Sequence, residues 1–560
     1  MSSGAPHRIF AAVPLLMLAG LAAGQSRGTP EDGIPVTDPL VIAKCGSCHP
    51  SDAQGNMERI SRARATPEGW QDILKDMIVM DGLVVTPAEA RPIVKYLSDH
   101  HGLAPGEARP VLYEPERRIV EETNIPSDTL REACAKCHDF ARPLSWRRSP
   151  AEWQAFDDSH AKRYKYKPNA EAVAFLAKAA PLHSAEFDAW SSRKASADLT
   201  GRWLVTATLA GNGKYYGEMQ VEGAGNEEYS THLTLTSLKT GSRTERTGRS
   251  AVYANTAWRG RSAGVTPPPA SVAPDDPASD LREVMWISPD GLTGEGRWFW
   301  GQYQEFGFNV QLRRPSADPV LLLVDGYPLK PGSRANRIRL IGENFPAHVA
   351  PADLAFGSGV TVGSIISGNA HEIVATVDVA AGAEAGKRDV GFGRSVLRAA
   401  VAIYDRIDYI TVTPESAMAA FGDSKHPRGY LQFEAIGYQR GPDGKVHTAD
   451  DVELGPVDVT WALQVFHAPD GSNSDSVGTM SPSGLLTPSV SHPDNNFDTW
   501  VIATARDEKN ADGQPMSGRA YVVITVPTYA FNGRQYVRDL ARWVDDGPAA
   551  RPATGGRRQP

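Results

Sequence analysis

Two five-residue stretches of the chain repeat one pattern of cysteine and histidine. They read Cys45-Gly46-Ser47-Cys48-His49 and Cys134-Ala135-Lys136-Cys137-His138. C-x-x-C-H is the attachment signature of c-type haem, in which two thiols add to the porphyrin vinyl groups and the histidine takes one axial position on the iron. Two residues between the cysteines, at the start of a short helix, bring both sulfurs to one edge of the macrocycle. The sequence therefore predicts two covalently bound haem c groups, with His49 and His138 as axial ligands.

The chain contains four cysteines, and all of them belong to these two motifs. Other interpretations are a pair of redox-active C-x-x-C sites or half of a zinc site. Zinc needs four ligands that close a tetrahedron, and neither motif has a second pair nearby. Because no cysteine is left over, a disulfide framework is excluded as well.

The length of 560 residues is too great for one hydrophobic core and predicts several domains. The formal net charge is -8, with 22% charged residues. This balance indicates an ordinary surface and gives no support to a nucleic-acid partner or to a strongly basic membrane-binding face.

The first 24 residues have the pattern of a secretory signal peptide. Arg8 precedes an apolar run over 9–21, and the small residues 22–24 follow it. The run is shorter than the roughly 20 residues of a membrane-spanning helix. The small residues lead us to expect cleavage after Gly24, and the short run leads us to expect no membrane span. Because bacteria attach c-type haem outside the cytoplasm, we also expect a periplasmic mature protein.

A second repeat follows each haem motif. Residues 64–70 and 147–153 both match R-x-[ST]-P-x-x-W. Each match predicts the start of a helix, with Thr66 or Ser149 as N-cap and proline at the first helical position. Glu152 is expected to complete a capping box. The repeat predicts two tandem helical lobes of similar build, each with one haem.

The repeat also suggests the sixth ligands, for which c-type haems use methionine or histidine. Seven residues after the shared tryptophan lie Met77 in the first lobe and His160 in the second. We expect Met77 to complete the first iron site and His160 the second. Since a thioether raises the potential relative to an imidazole, the two haems would form a directed relay.

Other residues compete for these roles. Met80 lies in the same helix as Met77, and a methionine on an amphipathic helix is often core packing. His183 competes with His160, and His100 and His101 are weaker alternatives. The shared tryptophans are expected to pack against the haem faces and not to conduct electrons.

From Thr200 the sequence changes to short alternating runs separated by turn sequences such as Asn212-Gly213. Seven runs between 201 and 312 predict a small barrel-like meander, and the two blocks after it have immunoglobulin-like β-sandwich patterning. The predicted fold class is multidomain: an N-terminal α-helical dihaem cytochrome c domain followed by three all-β domains. The predicted boundaries are 1–24 for the signal peptide, 25–105 and 106–195 for the haem lobes, 196–316 for the barrel-like domain, 317–405 and 406–546 for the sandwiches, and 547–560 for a disordered tail.

Residues 441–451 contain carboxylates at turn spacing. A Ca²⁺ loop and a plain turn both fit this pattern, and Asp443-Gly444 favours the turn. The sequence has no local signature of a Ser/His/Asp triad, a phosphate loop or a dinucleotide site, so no catalytic residue is predicted in this chain.

Taken together, the dihaem lobes, the R-x-[ST]-P-x-x-W repeat, the three β modules and the 441–451 turn resemble the α subunit of quinohemoprotein amine dehydrogenase. The resemblance covers essentially the whole mature chain. One departure is Asp81-Gly82-Leu83, where the family leads us to expect His-Gly-Leu. A histidine at that point cannot serve the first haem, which favours Met77.

The resemblance implies a periplasmic heterotrimer. In it, a small subunit carries a cysteine tryptophylquinone that oxidises primary amines to aldehydes with release of ammonia, and a β-propeller subunit helps to enclose that site. The dihaem subunit passes the electrons to a soluble cupredoxin or cytochrome c. The alternatives are a dihaem peroxidase-like enzyme, with one displaceable sixth ligand, and a stand-alone dihaem cytochrome with β modules for surface anchoring.

Overall fold

The computed structural model describes residues 31–111, 125–135, 140–192, 197–266, 276–300, 307–326, 328–423, 428–467, 474–490, 495–510 and 513–526. The predicted signal peptide, the predicted tail, Cys137 and His138 lie outside these residues. Within them a helical N-terminal region is followed by mostly β domains, which confirms the predicted multidomain order. No described helix is both long enough and apolar enough to cross a bilayer.

The N-terminal region is built from short helices. They are α1 Pro39–Cys45, α2 Pro67–Met80, α3 Pro87–His100, α4 Pro105–Ala108, α5 Asp128–Leu130, α6 Ala141–Leu144, α7 Pro150–Tyr164, α8 Ala170–Ala179 and α9 Ala185–Ser191. The two long helices that follow the repeated motif start where the sequence predicts. Thr66 accepts the Gly69 N–H at 3.2 Å, and Ser149 accepts the Glu152 N–H at 3.2 Å.

The predicted capping box at Glu152 is wrong. The Glu152 carboxylate lies 3.0 Å from Arg59 Nε and 3.6 Å from Arg148 Nη1. Two guanidinium groups therefore hold the side chain that would otherwise turn back to the helix start. A complete box occurs at α3, where the Thr86 N–H donates to Glu89 Oε2 at 2.8 Å and the Glu89 N–H donates to Thr86 Oγ1 at 3.3 Å.

The two halves of the repeat meet in a short antiparallel ladder. Strand β1, Ala63–Ala65, pairs with β2, Trp146–Arg148, so that Arg64 lies opposite Arg147. These two arginines are the matching first residues of the repeated motif. The ladder therefore has local two-fold symmetry, with the lobes on either side of it.

The first lobe shares a hydrophobic core with the next domain. Trp70, Leu74, Ile93 and Leu97 of the lobe belong to the same buried cluster as Ala251, Tyr253 and Ala257. The Arg259 guanidinium contacts both oxygens of the Glu68 carboxylate, and both side chains are buried. A large apolar contact with a buried ion pair fixes this lobe on the β scaffold.

The second domain is a closed eight-stranded meander barrel. Its strands are β3 Gly201–Leu209, β4 Gly213–Gly225, β5 Glu228–Ser237, β6 Arg243–Tyr253, β7 Ala257–Gly264, β8 Leu281–Ile287, β9 Thr293–Phe299 and β10 Gly307–Arg313. Each strand pairs with its sequence neighbour, and β10 closes the barrel against β3. The predicted barrel-like meander is confirmed, with β7 in addition to the seven predicted runs.

The third domain consists of two sheets around one core. Its strands are β11 Val320–Asp325, β12 Asn336–Glu343, β13 Leu354–Ala355, β14 Val360–Gly368, β15 Glu372–Val379, β16 Gly386–Phe392 and β17 Ser395–Ile403. The sheets have the orders β11-β12-β15-β14 and β13-β16-β17. Fully buried Ile338, Leu340 and Ile373 lie in their shared core.

The fourth domain is also built from several sheets around one core. Its elements are β18 Tyr409–Thr413, β19 Ser416–Ala420, β20 Leu431–Gln432, β21 Glu434–Gln439, β22 Val452–Pro456, β23 Val459–His467, α10 Ser474–Val477, β24 Gly478–Met480, β25 Leu485–Pro488, β26 Phe497–Lys509 and β27 Pro515–Thr525. Its largest sheet has the order β19-β27-β26-β23, with β19 and β27 parallel.

The 441–451 segment has the hydrogen bonds of a plain turn. Asp451 Oδ1 accepts the Gly441 N–H at 3.0 Å, and Oδ2 accepts the Thr448 N–H at 3.0 Å and the Tyr409 hydroxyl at 2.5 Å. The turn itself therefore occupies both oxygens of this carboxylate. Across the described ranges, no group of three or more His, Cys, Asp or Glu side chains is arranged to hold a metal ion.

Candidate functional site

The first attachment motif lies at the end of a helix. Asp38 Oδ1 accepts the Val41 N–H at 2.8 Å and caps α1, which runs from Pro39 to Cys45. The expectation that the motif starts a helix is wrong here, because the helix is capped before the motif and terminates at its first cysteine. The His49 N–H then donates to the Cys45 carbonyl at 2.9 Å, which returns the imidazole towards the helix end.

The His49 imidazole has the tautomer that an axial ligand needs. Its Nδ1 lies 3.1 Å from the carbonyl oxygen of Glu58. Because a carbonyl only accepts, Nδ1 carries the proton and donates it. Nε2 is then the unprotonated nitrogen, the form in which imidazole coordinates iron.

The surroundings of this motif are apolar. Cys45 packs against the lobe core with Leu83 and Val85. Lys44 Nζ donates to the Val84 carbonyl at 3.4 Å and holds this loop against the end of α1. Exposed apolar side chains in this part of the lobe are Ile42, three residues before Cys45, Ile78, Val79 and Met80 at the end of α2, and Val84 in the loop after it. Two thiols, an oriented imidazole and an apolar wall are the groups that a covalent haem requires, so the residues present fit one.

The predicted sixth ligand of the first lobe lies two turns into α2. Met77 is half-buried, and its carbonyl accepts the N–H groups of Asp81 and Leu83 at 3.2 and 3.0 Å. The alternative, Met80, is 53% exposed, and its Sδ accepts a hydrogen bond from Arg163 of the second lobe at 2.7 Å. This engagement of the Met80 sulfur favours Met77, whose assignment stays a prediction.

The second attachment motif is described in part. Cys134 lies in a five-residue π-helical turn, Arg131–Ala135, whereas Cys137 and His138 lie outside the described residues. Burial raises the pKa of the Cys134 thiol to about 11, and the negative charge of Asp157 adds to the rise. Because Asp157 belongs to α7, that helix lies beside the attachment site.

His160 lies on the same helix and shares neighbours with Cys134. Its Nδ1 is 2.9 Å from the Tyr166 hydroxyl oxygen, and that hydroxyl donates to Asp157 Oδ1 at 2.7 Å. Burial raises the pKa of the Tyr166 hydroxyl, and the hydrogen bond to Asp157 and the charges of Asp157 and Cys134 raise it further. The imidazole stacks on Phe156, with 5.3 Å between ring centroids.

The alternative histidines lie elsewhere. His183 Nε2 is 2.7 Å from the Asp32 carbonyl oxygen, and this contact engages the nitrogen. His100 and His101 are at the end of α3 in the first lobe, where His101 is fully buried with its ring edge against Trp70. These positions favour His160, whose assignment likewise stays a prediction.

The shared tryptophans are packing residues with one role in both lobes. Trp70 Nε1 donates to the His101 carbonyl at 2.8 Å, and Trp153 Nε1 donates to the Ala180 carbonyl at 3.0 Å. His101 follows α3 and Ala180 follows α8, so each tryptophan ties the start of its long helix to the end of the next helix.

A buried ion cluster joins the two lobes. Arg64 donates to both oxygens of the Glu107 carboxylate at 2.6 and 3.0 Å, and Arg147 Nε lies 3.5 Å from the same group. Burial would raise the pKa of Glu107, but the hydrogen bonds and charge of Arg64, with the charge of Arg147, lower it to about 2. The ionised Glu107 carboxylate therefore pairs with the matching arginines of both halves of the repeat.

Sequence reasoning missed Asp157, Tyr166 and Glu107. The first two carried a signal, because they stand at repeat positions where the first lobe has leucine. Glu107 carried none, since it is 43 residues from Arg64 and outside both repeated motifs.

Four protein-family models match the chain, and each is described as a domain of the quinohemoprotein amine dehydrogenase α subunit. The haem-binding model matches residues 36–177, domain II matches 196–315, domain III matches 319–405 and domain IV matches 410–535. A search of curated proteins found no match.

Several solved structures show weak likeness to parts of the chain. A redesigned β-barrel has 12% identity and a TM-score of 0.17, covering 21% of this chain and 92% of its own. The N-terminal Ig1-2 module of a Drosophila receptor protein tyrosine phosphatase has 12% identity and a TM-score of 0.13, covering 37% and 98%. A SusE-like surface-located polysaccharide-binding protein of Bacteroides thetaiotaomicron has 10% identity and a TM-score of 0.12, covering 55% and 54%. TM-scores this low support no conclusion about function.

The family matches, in their order along the chain, define a haem-binding subunit of an oxidoreductase. The chain belongs to the family of quinohemoprotein amine dehydrogenase α subunits. The resemblance that the sequence motifs indicated is thereby confirmed.

Proposed function

We propose that this chain is the dihaem electron-transfer subunit of a periplasmic quinohemoprotein amine dehydrogenase. It receives electrons from a cysteine tryptophylquinone on a small partner subunit, where a primary amine is oxidised to an aldehyde and ammonia. It passes them to an external cupredoxin or cytochrome c. The observation that carries the proposal is the pair of C-x-x-C-H motifs, each followed in the sequence by a long capped helix, with the two helix starts joined by the β1–β2 ladder.

The proposed haem ligands follow from the site geometry and the repeat. Cys45 and Cys48 attach the first haem and Cys134 and Cys137 the second. The iron ligands are His49 with Met77, and His138 with His160. When bound, each haem supplies a one-electron couple whose potential depends on its axial ligands and surroundings.

The remainder of the chain holds these sites in place. Arg64 and Glu107 fix one lobe to the other, and Arg259 with Glu68 fixes the first lobe to the barrel. A fixed separation between two redox groups keeps the rate of electron transfer between them constant. We assign the third and fourth domains to immunoglobulin-like sandwiches, supported by sheets that enclose one core in each, and give them and the barrel the role of docking a β-propeller subunit.

The first test is the intact mass of the full chain, secreted from cells that assemble c-type cytochromes. We expect a mass gain of two porphyrins and cleavage after Gly24. The pair C45S/C48S removes one porphyrin, and the pair C134S/C137S removes the other. Absence of added porphyrin mass would overturn the electron-transfer proposal.

A second test separates a relay from an enzyme with an open iron. In the native complex, cyanide and carbon monoxide should bind slowly or not at all, because both irons have two protein ligands. Rapid binding would instead support a peroxidase-like activity. Isolation of the complex from periplasm should recover a small quinone-bearing subunit and a β-propeller subunit, and a dihaem chain that purifies alone would contradict the heterotrimer.

A further inference from the structure

The second lobe contains a hydrogen-bonded chain of three side chains. Tyr166 stands in the middle, with its hydroxyl 2.9 Å from His160 Nδ1 and 2.7 Å from Asp157 Oδ1. All three side chains are half-buried. Asp157 is fixed from a second direction as well, since its Oδ2 accepts the Asn169 N–H, the N-cap residue of α8, at 2.8 Å.

The direction of each hydrogen bond follows from the donor inventory. A carboxylate only accepts, so the Tyr166 hydroxyl donates its proton to Asp157. The hydroxyl oxygen then accepts from His160, which places the imidazole proton on Nδ1. Nε2 is left without a proton, the same tautomer that the Glu58 carbonyl gives to His49 in the first lobe.

The end of α7 is shaped to bring Tyr166 back to the helix. Lys165 has φ of +56°, a left-handed conformation, and the Tyr166 N–H donates to the Ala161 carbonyl at 3.2 Å. This conformation is strained for a residue with a Cβ, whereas glycine adopts it freely. The first lobe has Gly82, with φ of +73°, at the equivalent point. The second lobe makes the same turn with a lysine and still returns its next residue to the helix.

All three members of the hydrogen-bonded chain differ from the residues at the matched positions of the first lobe. Four, seven and thirteen residues after the shared tryptophan, the first lobe has Leu74, Met77 and Leu83, and the second has Asp157, His160 and Tyr166. The Met77 thioether has no proton to donate, and the two other matched residues of the first lobe are apolar. The His160 imidazole has a proton on Nδ1, and Tyr166 accepts it while donating its own proton to Asp157. The supporting residues thus change together with the residue proposed as ligand.

We infer that Tyr166 and Asp157 are positioning residues for the second haem: they fix the plane and tautomer of His160 and hold that haem at a lower potential. The inference rests on the proposed function, in which His160 is an iron ligand. A proton shared towards a carboxylate makes the imidazole a stronger electron donor, which favours ferric iron.

The test is a spectroelectrochemical titration of the holoprotein with both haems loaded. Y166F removes the hydroxyl and retains the ring. Loss of a hydrogen-bond partner of a metal-ligating histidine typically changes metal affinity by about 10- to 100-fold. A tenfold loss in the preference for ferric over ferrous iron corresponds to a rise of about 59 mV for a one-electron couple. We expect a rise of at least this size in the second haem and no change in the first.

Two further variants separate hydrogen bonding from packing. F156L alters the ring stacked on the imidazole and removes no hydrogen-bond partner, so the second potential should shift by only a small fraction of the change expected for Y166F. D157N keeps one oxygen that can accept from Tyr166 but removes the carboxylate charge, so its potential should lie between those of wild type and D157A, whereas D157A should resemble Y166F. Equal shifts in F156L and Y166F, or an unchanged potential in both Y166F and D157A, would overturn the inference.

The failure of this inference is distinguishable from that of the proposed function. In H160A, the low-spin spectrum of the second haem should convert to high spin. If it does not, His160 is not the ligand, and both the ligand assignment and this inference are wrong. If H160A converts and Y166F shifts nothing, the dihaem assignment stands and the role of Tyr166 is rejected.

Discussion

Replacing Glu107 with glutamine should open the junction between the two lobes. The substitution keeps the shape of the side chain and removes the charge that Arg64 and Arg147 share. Arg64 is fully buried, and its side chain also donates to the Leu182 and Gly102 carbonyls at 2.6 and 3.1 Å. Those carbonyls keep Arg64 in place, so the two guanidinium groups would face each other without the Glu107 charge between them, and Glu186 would be the remaining negative charge acting on Arg147.

Two estimates of the free energy lost in E107Q agree. Removing one partner from a buried ion pair costs about 3–5 kcal/mol. The pKa of Glu107 falls from its ordinary value of 4.5 to about 2, which corresponds to about 3 kcal/mol of interaction with the folded surroundings. We therefore expect E107Q to weaken the lobe junction by about 3 kcal/mol.

Hydrogen exchange at the β1–β2 ladder measures this loss directly. About 3 kcal/mol corresponds to a fall of roughly two powers of ten in the protection of the ladder amides. The control is E453Q, which breaks the half-exposed Lys387–Glu453 pair of 3.3 Å and should cost at most about 1 kcal/mol. If E107Q leaves the ladder protection within threefold of wild type, the ion cluster does not hold the lobes together.

Acid should weaken the lobe junction of the wild-type protein in the same way as E107Q, because it protonates Glu107. Because the folded pKa lies below the unfolded one, the stabilisation is complete above about pH 4.5 and is lost as the pH falls towards 2. Ladder protection should fall over this range in wild type, whereas E107Q should show a flatter profile. Equal slopes in the two proteins would show that another group dominates the acid response.

Three further predictions concern other parts of the chain. E68Q leaves Arg259 buried without its carboxylate, and exchange protection of the first turn of α2 should fall by roughly two powers of ten. Burial lowers the pKa of His101 to about 3, so the unfolded chain takes up the proton first. Urea stability of the first lobe should then fall as the pH drops from about 6.5, a slope that H101L should lack. Calcium should leave the thermal unfolding midpoint of the full protein unchanged, since the turn uses both Asp451 oxygens, and a rise would contradict the plain turn.

The tandem lobes could be predicted from the sequence because the repeat constrains local structure. A proline after a Ser or Thr cap fixes a helix start wherever it occurs, and both α2 and α7 begin there. The capping box at Glu152 failed for a non-local reason. Arg59 lies 93 residues away in sequence, and its ion pair with the Glu152 carboxylate depends on how the lobes pack.

Strand β7 could not be predicted, because its pattern depends on another domain. Ala257–Gly264 contains two arginines and two glycines and lacks the apolar alternation of its neighbours. Arg259 is buried there because Glu68 of the first lobe neutralises it. Gly260 leaves room for Glu283, whose Oε2 would lie 2.6 Å from a Cβ at that position. The residues of β7 are therefore those that its contact with the first lobe requires, and the apolar alternation that predicts a strand is absent.

The difference between the lobes has a consequence for the direction of electron flow. If Met77 completes the first haem and His160 the second, as proposed, we expect the first haem to have the higher potential. A single electron added to the oxidised protein should therefore reside on the first haem, in the lobe that Glu68 and Arg259 anchor to the barrel. A reductive titration followed by resonances or bands specific to each haem measures this order. If the second haem is reduced first, burial and charge outweigh the axial ligands. The differences between Leu74 and Asp157 and between Leu83 and Tyr166 would then not determine the order of the potentials.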